Sequence, residues 1–150
     1  MDLEKYPYRT NDTFASFEFE SDGPNGKIKK VVNYKQIDES SEGVPVINLG
    51  FGDWDEVQQK VNDLVISNNA DRDKILATVA STVMDFTDRH GKLLIVAKGS
   101  TPARTRLYQM GINANLESVR AVFDIYGLTA NGWEPFEKGR NFDAFLVVRK

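Results

Sequence analysis

The residues best suited to chemistry lie between Gly99 and Tyr108. Gly99-Ser100-Thr101-Pro102 sets two hydroxyl side chains and a proline where a helix would begin, so Ser100 or Thr101 can cap it and Pro102 suits its first turn. The open amides of such a turn attract an anion, and Arg104 and Arg106 add positive charge beside them. Tyr108 lies one turn beyond Arg104, so a hydroxyl and a guanidinium can face one cleft. Arg104 and Arg106 point about 200° apart on an ideal helix, so one compact site does not use both unaided. A second polar stretch, Ser67-Asn68-Asn69, precedes another helix and is expected at the same corner, at the end of a neighbouring strand. The ligand this implies is an anionic small molecule or a protein partner. The same residues also fit an ordinary capped helix with solvated arginines and a packed tyrosine.

Other chemistries find less in the sequence. The one histidine, His90, falls just before Gly91, where a helix C-terminus favours a cation by roughly 0.3–1 kcal/mol. With no cysteine there is no thiolate nucleophile or zinc-thiolate site, and Asp53-Trp54-Asp55-Glu56 lacks the glycine-pivoted spacing of a calcium loop, so no metal is expected. A net charge of -3 makes any phosphate binding local. Nucleic acid is not expected, because Lys27, Lys29, Lys30 and Lys35 read as the solvated face of a strand. Met1-Asp2-Leu3-Glu4-Lys5 is charged where a signal peptide needs an apolar core, and no run reaches membrane-spanning length. The expected location is the cytoplasm.

The elements that must position the corner form an α+β domain spanning 1–150, whose 41% hydrophobic content suffices for one core. An antiparallel β-meander comes first. Ala15, Phe17 and Phe19 alternate with polar residues, Ser21 to Gly26 reverses the chain into Lys27–Ile37, and Ile47, Leu49 and Phe51 share one face of a third strand. Glu18 and Glu20 are expected opposite Lys29 and Lys27. The segment 54–66 fits a helix or a strand, and a strand ending at Ser67 is favoured. Leu76, Val79, Ala80, Val83 and Phe86 then mark a helix over 71–90, capped by Asn69 or Asp71. The apolar run Leu93–Ala97 marks a central strand over 92–98, which makes a βαβ crossover. Helices over about 101–110, ended by Gly111, and 113–123 follow. Extended chain near 124–128, a turn at Ala130-Asn131-Gly132, an edge segment at Trp133–Phe136 and a last strand at 144–148 complete the mixed sheet.

Two resemblances attach to these residues. Strand, helix 71–90, strand and the run Thr101–Ile112 are similar, over about residues 64–112, to the second half of the Gcn5-related N-acetyltransferases. Ala103, Leu107, Tyr108 and Gly111 fall near that superfamily's Asn-x-x-Ala-x-x-Leu-Tyr-x-x-x-Gly-Phe helix. The resemblance implies acetyl-CoA as cofactor and nominates Tyr108 as general acid to the leaving thiolate. At the superfamily's Gln/Arg-x-x-Gly-x-Gly/Ala phosphate loop this chain has Ser67, Ala70 and Arg72, with Asp71 and Asp73 where phosphate charge would sit. The whole chain resembles a small uncharacterised bacterial family through Asn48–Asp53, Ser67–Asn69, Gly99–Tyr108 and Trp133–Phe136. That likeness implies no activity. The expectation is therefore a noncatalytic ligand- or partner-binding domain without a cofactor, on an acetyltransferase-like scaffold. The alternative is a divergent acyl-CoA-dependent N-acyltransferase.

Overall fold

Strand β2 (Ser16–Gly23) and strand β3 (Gly26–Glu39) meet at a two-residue turn, Pro24-Asn25, where proline fixes one φ and Gly26 takes φ +89. A computed structural model of the chain describes residues 4–62 and 69–150. The hairpin register sets Glu20 against Lys29, and the ion pairs run Lys29–Glu18 at 3.1 Å and Lys27–Glu20 at 3.8 Å. A short β1 (Tyr8–Thr10), not expected from the sequence, adds to the free edge of β2.

On the other side β3 pairs with β4 (Pro45–Asp55), and a second unforeseen strand, β5 (Lys60–Asn62), folds back on the end of β4. The strand expected to end at Ser67 falls outside the described residues. The chain resumes in helix α1 (Arg72–His90) and crosses to β6 (Leu94–Ala97), which pairs parallel with β4 from Val46 opposite Leu94 to Leu49 opposite Ala97. Helix α2 (Pro102–Ala114), helix α3 (Leu116–Arg120), strand β7 (Phe123–Thr129), strand β8 (Gly132–Pro135) and strand β9 (Phe145–Arg149) follow. The sheet order is β1-β2-β3-β4-β6-β9-β7-β8, antiparallel except at β4–β6.

Two expected boundaries are corrected. Gly111 does not end α2 but is buried inside it, because a Cβ there would lie 1.9 Å from Leu76 Cδ1: the missing side chain lets α2 lie against α1. The helix expected over 113–123 shrinks to α3. Asn115 sits between the two helices, its amide donating to Gly111 O at 3.0 Å, and Phe123 already belongs to β7.

The three helices pack on one face of the sheet, over Phe17, Val32, Ile95 and Phe145, each at most 1% exposed. Alternation puts Val46, Leu94, Val96, Leu146 and Val148 on the opposite face, where they stay half-buried. Among the described residues no helix is long and apolar enough to cross a membrane.

Candidate functional site

The site arises where the parallel pair comes apart. Strand β6 stops pairing at Ala97, opposite Leu49, while β4 runs on to Asp55; β5 takes up the vacated edge only from Asp53. Between them the Gly50–Gly52 edge of β4 has no strand partner among the described residues. The Arg104 side chain, 5% exposed, reaches this edge. Its Nη2 donates to Phe51 O at 2.7 Å and its guanidinium lies 5.5 Å from the Phe51 ring.

Arg104 is held there by its turn. Thr101 caps α2, accepting from the Arg104 amide at 3.2 Å, and Gly99 N–H donates to Thr105 Oγ1 at 3.0 Å. Any side chain at Gly99 would strike the backbone of α2, at 2.3 Å from Thr105 N.

Beside this edge opens a cleft of about 860 Å³. Lys30 and Phe51 form its sheet wall, the first turn of α1 another, and Arg104, Leu107 and Tyr108 a third, with Glu4 at the rim. Lys30 corrects the expectation of a solvated lysine face. It shares parity with Val32 and Tyr34, is 3% exposed, and pairs with Asp53 directly opposite on β4. Asp71 does not cap α1 through its side chain. Its carboxylate instead accepts from Tyr6 Oη at 2.6 Å and Ser21 Oγ at 2.5 Å, so the first-turn amides of α1 meet the cleft without a side-chain cap. Burial first, and then the bond to Asp71, holds the Tyr6 hydroxyl above the ordinary tyrosine range. Lys74 lies 4.2 Å over the Tyr6 ring and pairs with Glu4 at 3.1 Å. Cationic Lys30, Arg72, Lys74 and Arg104 thus share the walls with acidic Glu4, Asp71 and Asp73.

The expected residues separate. Arg104 and Tyr108 reach the cleft, Thr101 serves as cap, Ser100 is exposed beside it, and Arg106 points to solvent, as the 200° divergence of about two helical positions requires. Ser67 and Asn68 lie outside the described residues. Asn69 is 2% exposed and borders the cleft, but its amide spans the β2–β3 turn, donating to Ser21 Oγ at 3.0 Å and Gly26 O at 2.9 Å and accepting from Asn25 N at 2.7 Å. His90 ends α1 in the open, 4.4 Å from the Phe86 ring, with its Nε2 2.8 Å from Thr13 O. Lys30, Asp53, Lys74 and Leu107 were not among the site residues expected from the sequence. Only Lys30 carried a local signal, its parity with the apolar face of β3.

Fold and site together define a mixed α+β domain with a cleft where, among the described residues, the parallel pair β4–β6 comes apart. The chain belongs to a family of unknown function, DUF6934, whose model matches residues 2–150, in keeping with the motifs that run from Asn48 to Phe136. Comparison with curated proteins and with solved structures found no match.

Proposed function

We propose that this protein is a noncatalytic binding domain that holds an anionic small molecule in the cleft beside Arg104. The observation that carries the reading is the placement of Arg104. A buried guanidinium stands at the end of β6, facing the uncapped first turn of α1 across a cavity of ligand size. A meander, a crossover through α1 and the Leu107-Tyr108 helix support an acetyltransferase-like scaffold. A cytoplasmic setting agrees with a cysteine-free chain.

Against catalysis of the usual acetyltransferase kind stand Asp71 and Asp73 on the phosphate side of the cleft and Arg104 beside Phe51. One observation favours the acyltransferase alternative: Tyr108 lines the cleft from α2, where a general acid for a thiolate would be wanted.

Thermal shift and titration calorimetry with nucleotides, NAD, coenzyme A and acetyl-CoA test both readings. A ligand at a hundred times its Kd adds about 2.7 kcal/mol, a rise in Tm of roughly 5–10 °C for a chain of this size. Arg104→Ala and the cleft-filling Leu107→Trp are each expected to weaken binding at least tenfold. No shift with any of these ligands at millimolar concentration, or binding indifferent to both substitutions, overturns the proposal. Acetyl transfer that Tyr108→Phe abolishes would select the acyltransferase.

A further inference from the structure

The cleft does not end at Tyr108. Behind it lies a second, partly open cavity of about 90 Å³ between α1, α2, α3 and the sheet; Leu76 and Tyr108 belong to the walls of both. Leu49, Val79, Val83, Ala97 and Val147 represent the rest of its lining, in which Tyr108 and Asn115 are the polar members among more than a dozen otherwise small or apolar residues. Protein interiors pack as densely as organic crystals, and an apolar hollow with so few polar partners accepts an apolar guest. At about 30 Å³ per water-sized group, it holds roughly three chain atoms.

The shared wall between the cavities has a specific cause. Where α2 crosses α1, Gly111 has no side chain, and Leu76 Cδ1 occupies the place its Cβ would need, 1.9 Å away. The partly buried Leu76 therefore stands between a cleft bordered by Arg104 and Lys74 and an apolar cavity.

We infer that cleft and cavity form one site for an amphiphile: an anionic head beside Arg104 and Lys74, and a short unbranched aliphatic chain of about three carbons passing Leu76 and Tyr108 into the cavity. This rests on the anion-binding reading above and names the ligand class. The chain chemistry is shared by free alkyl carboxylates and by acyl thioesters of coenzyme A, and the two are separate arms of the test.

Titration of the full chain with acetate, butyrate, hexanoate, octanoate and dodecanoate, and with the matching acyl-coenzyme A series, reads the inference. Kd should fall about fourfold per methylene until the cavity is full, then level off. Ala80→Leu extends a side chain into the cavity from α1; it should keep or raise Tm while flattening the chain-length dependence and leaving the shortest ligands unaffected. Methyl resonances of Val83 and Val147 should move with octanoate and not with acetate, a readout that needs no variant. Affinity independent of chain length in wild type, or unchanged chain-length dependence in folded Ala80→Leu, overturns the inference. If short heads or coenzyme A bind without a chain effect, the cleft reading survives alone; if no ligand binds at all, both fall. Binding by the thioester arm only assigns the head to the carrier's phosphates, and binding by the carboxylate arm only assigns it to a free carboxylate.

Discussion

Removing the charge of Asp53 should destabilise this protein far more than removing any exposed acid. In Asp53→Asn the side chain keeps its shape, but the Lys30 ammonium, 3% exposed and 6.0 Å from the Phe51 ring, loses its anionic partner. Breaking a buried pair on one side costs about 3–5 kcal/mol, because the remaining charge stays out of water. At about 2–4 °C per kcal/mol for a chain of this length, Tm should fall by roughly 6–20 °C. The internal comparator is Glu18→Gln, which breaks the Lys29 pair. Both of its side chains are about two-fifths exposed, so solvent screening limits the loss to about 1 kcal/mol or less. Urea unfolding followed by fluorescence measures both, with m unchanged if the folded and unfolded ensembles keep their extents. The double variant Lys30→Met/Asp53→Leu removes both charges of the pair and should recover most of the loss, giving a coupling energy of about 2 kcal/mol or more in the cycle. An Asp53→Asn cost equal to that of Glu18→Gln would refute the argument that burial makes this pair different.

Three further outcomes can be checked. Stability should be full below about pH 10 and fall above it, since burial first, and then the bonds of Tyr6 to Asp71 and Tyr8 to Asp85, raises those hydroxyls, while burial raises Tyr34; a Tm flat to about pH 11 would contradict this. Asn69→Ala strips the clamp from the β2–β3 turn, leaving the Asn25 N–H and Gly26 carbonyl without it; a loss of about 1–3 kcal/mol and faster amide exchange at Asn25 are expected. Thr101→Ala removes the α2 cap at a cost of about 1 kcal/mol, and Thr101→Ser should restore most of it, both read by urea unfolding.

Much of the fold was legible because its signals are local. The stripe from Leu76 to Phe86 marks α1, the run around Ile95 marks β6, and glycine and proline between Ser21 and Gly26 mark the first hairpin. Strands β1 and β5, three residues each, carry no periodicity of their own and exist because β2 and β4 offer an edge to pair with. Gly111 misled for a related reason: by propensity glycine ends a helix, but here it is contact with Leu76 that requires it. At the site, Tyr108 and Arg104 were readable from one helix. The place Arg104 takes beside Phe51 was not, since it depends on β6 pairing with β4 no further than Leu49, and Asp53 pairs with a lysine twenty-three positions away.

The contacts of Lys5, Tyr6 and Tyr8 with α1 also govern when the molecule can complete itself. Tyr6 N–H reaches Thr78 across 72 positions, Lys5 reaches Ser81 across 76, and Tyr8 reaches Asp85 across 77. At a synthesis rate of about 5–20 residues per second, Thr78 follows Tyr6 by roughly 4–14 s. During that interval the β2–β3 hairpin can already stand while Phe17, Phe19, Val32 and Tyr34 wait for the helix that will cover them. The nascent chain is thus an apolar half-sandwich for seconds, open to capture by a chaperone or by another nascent chain.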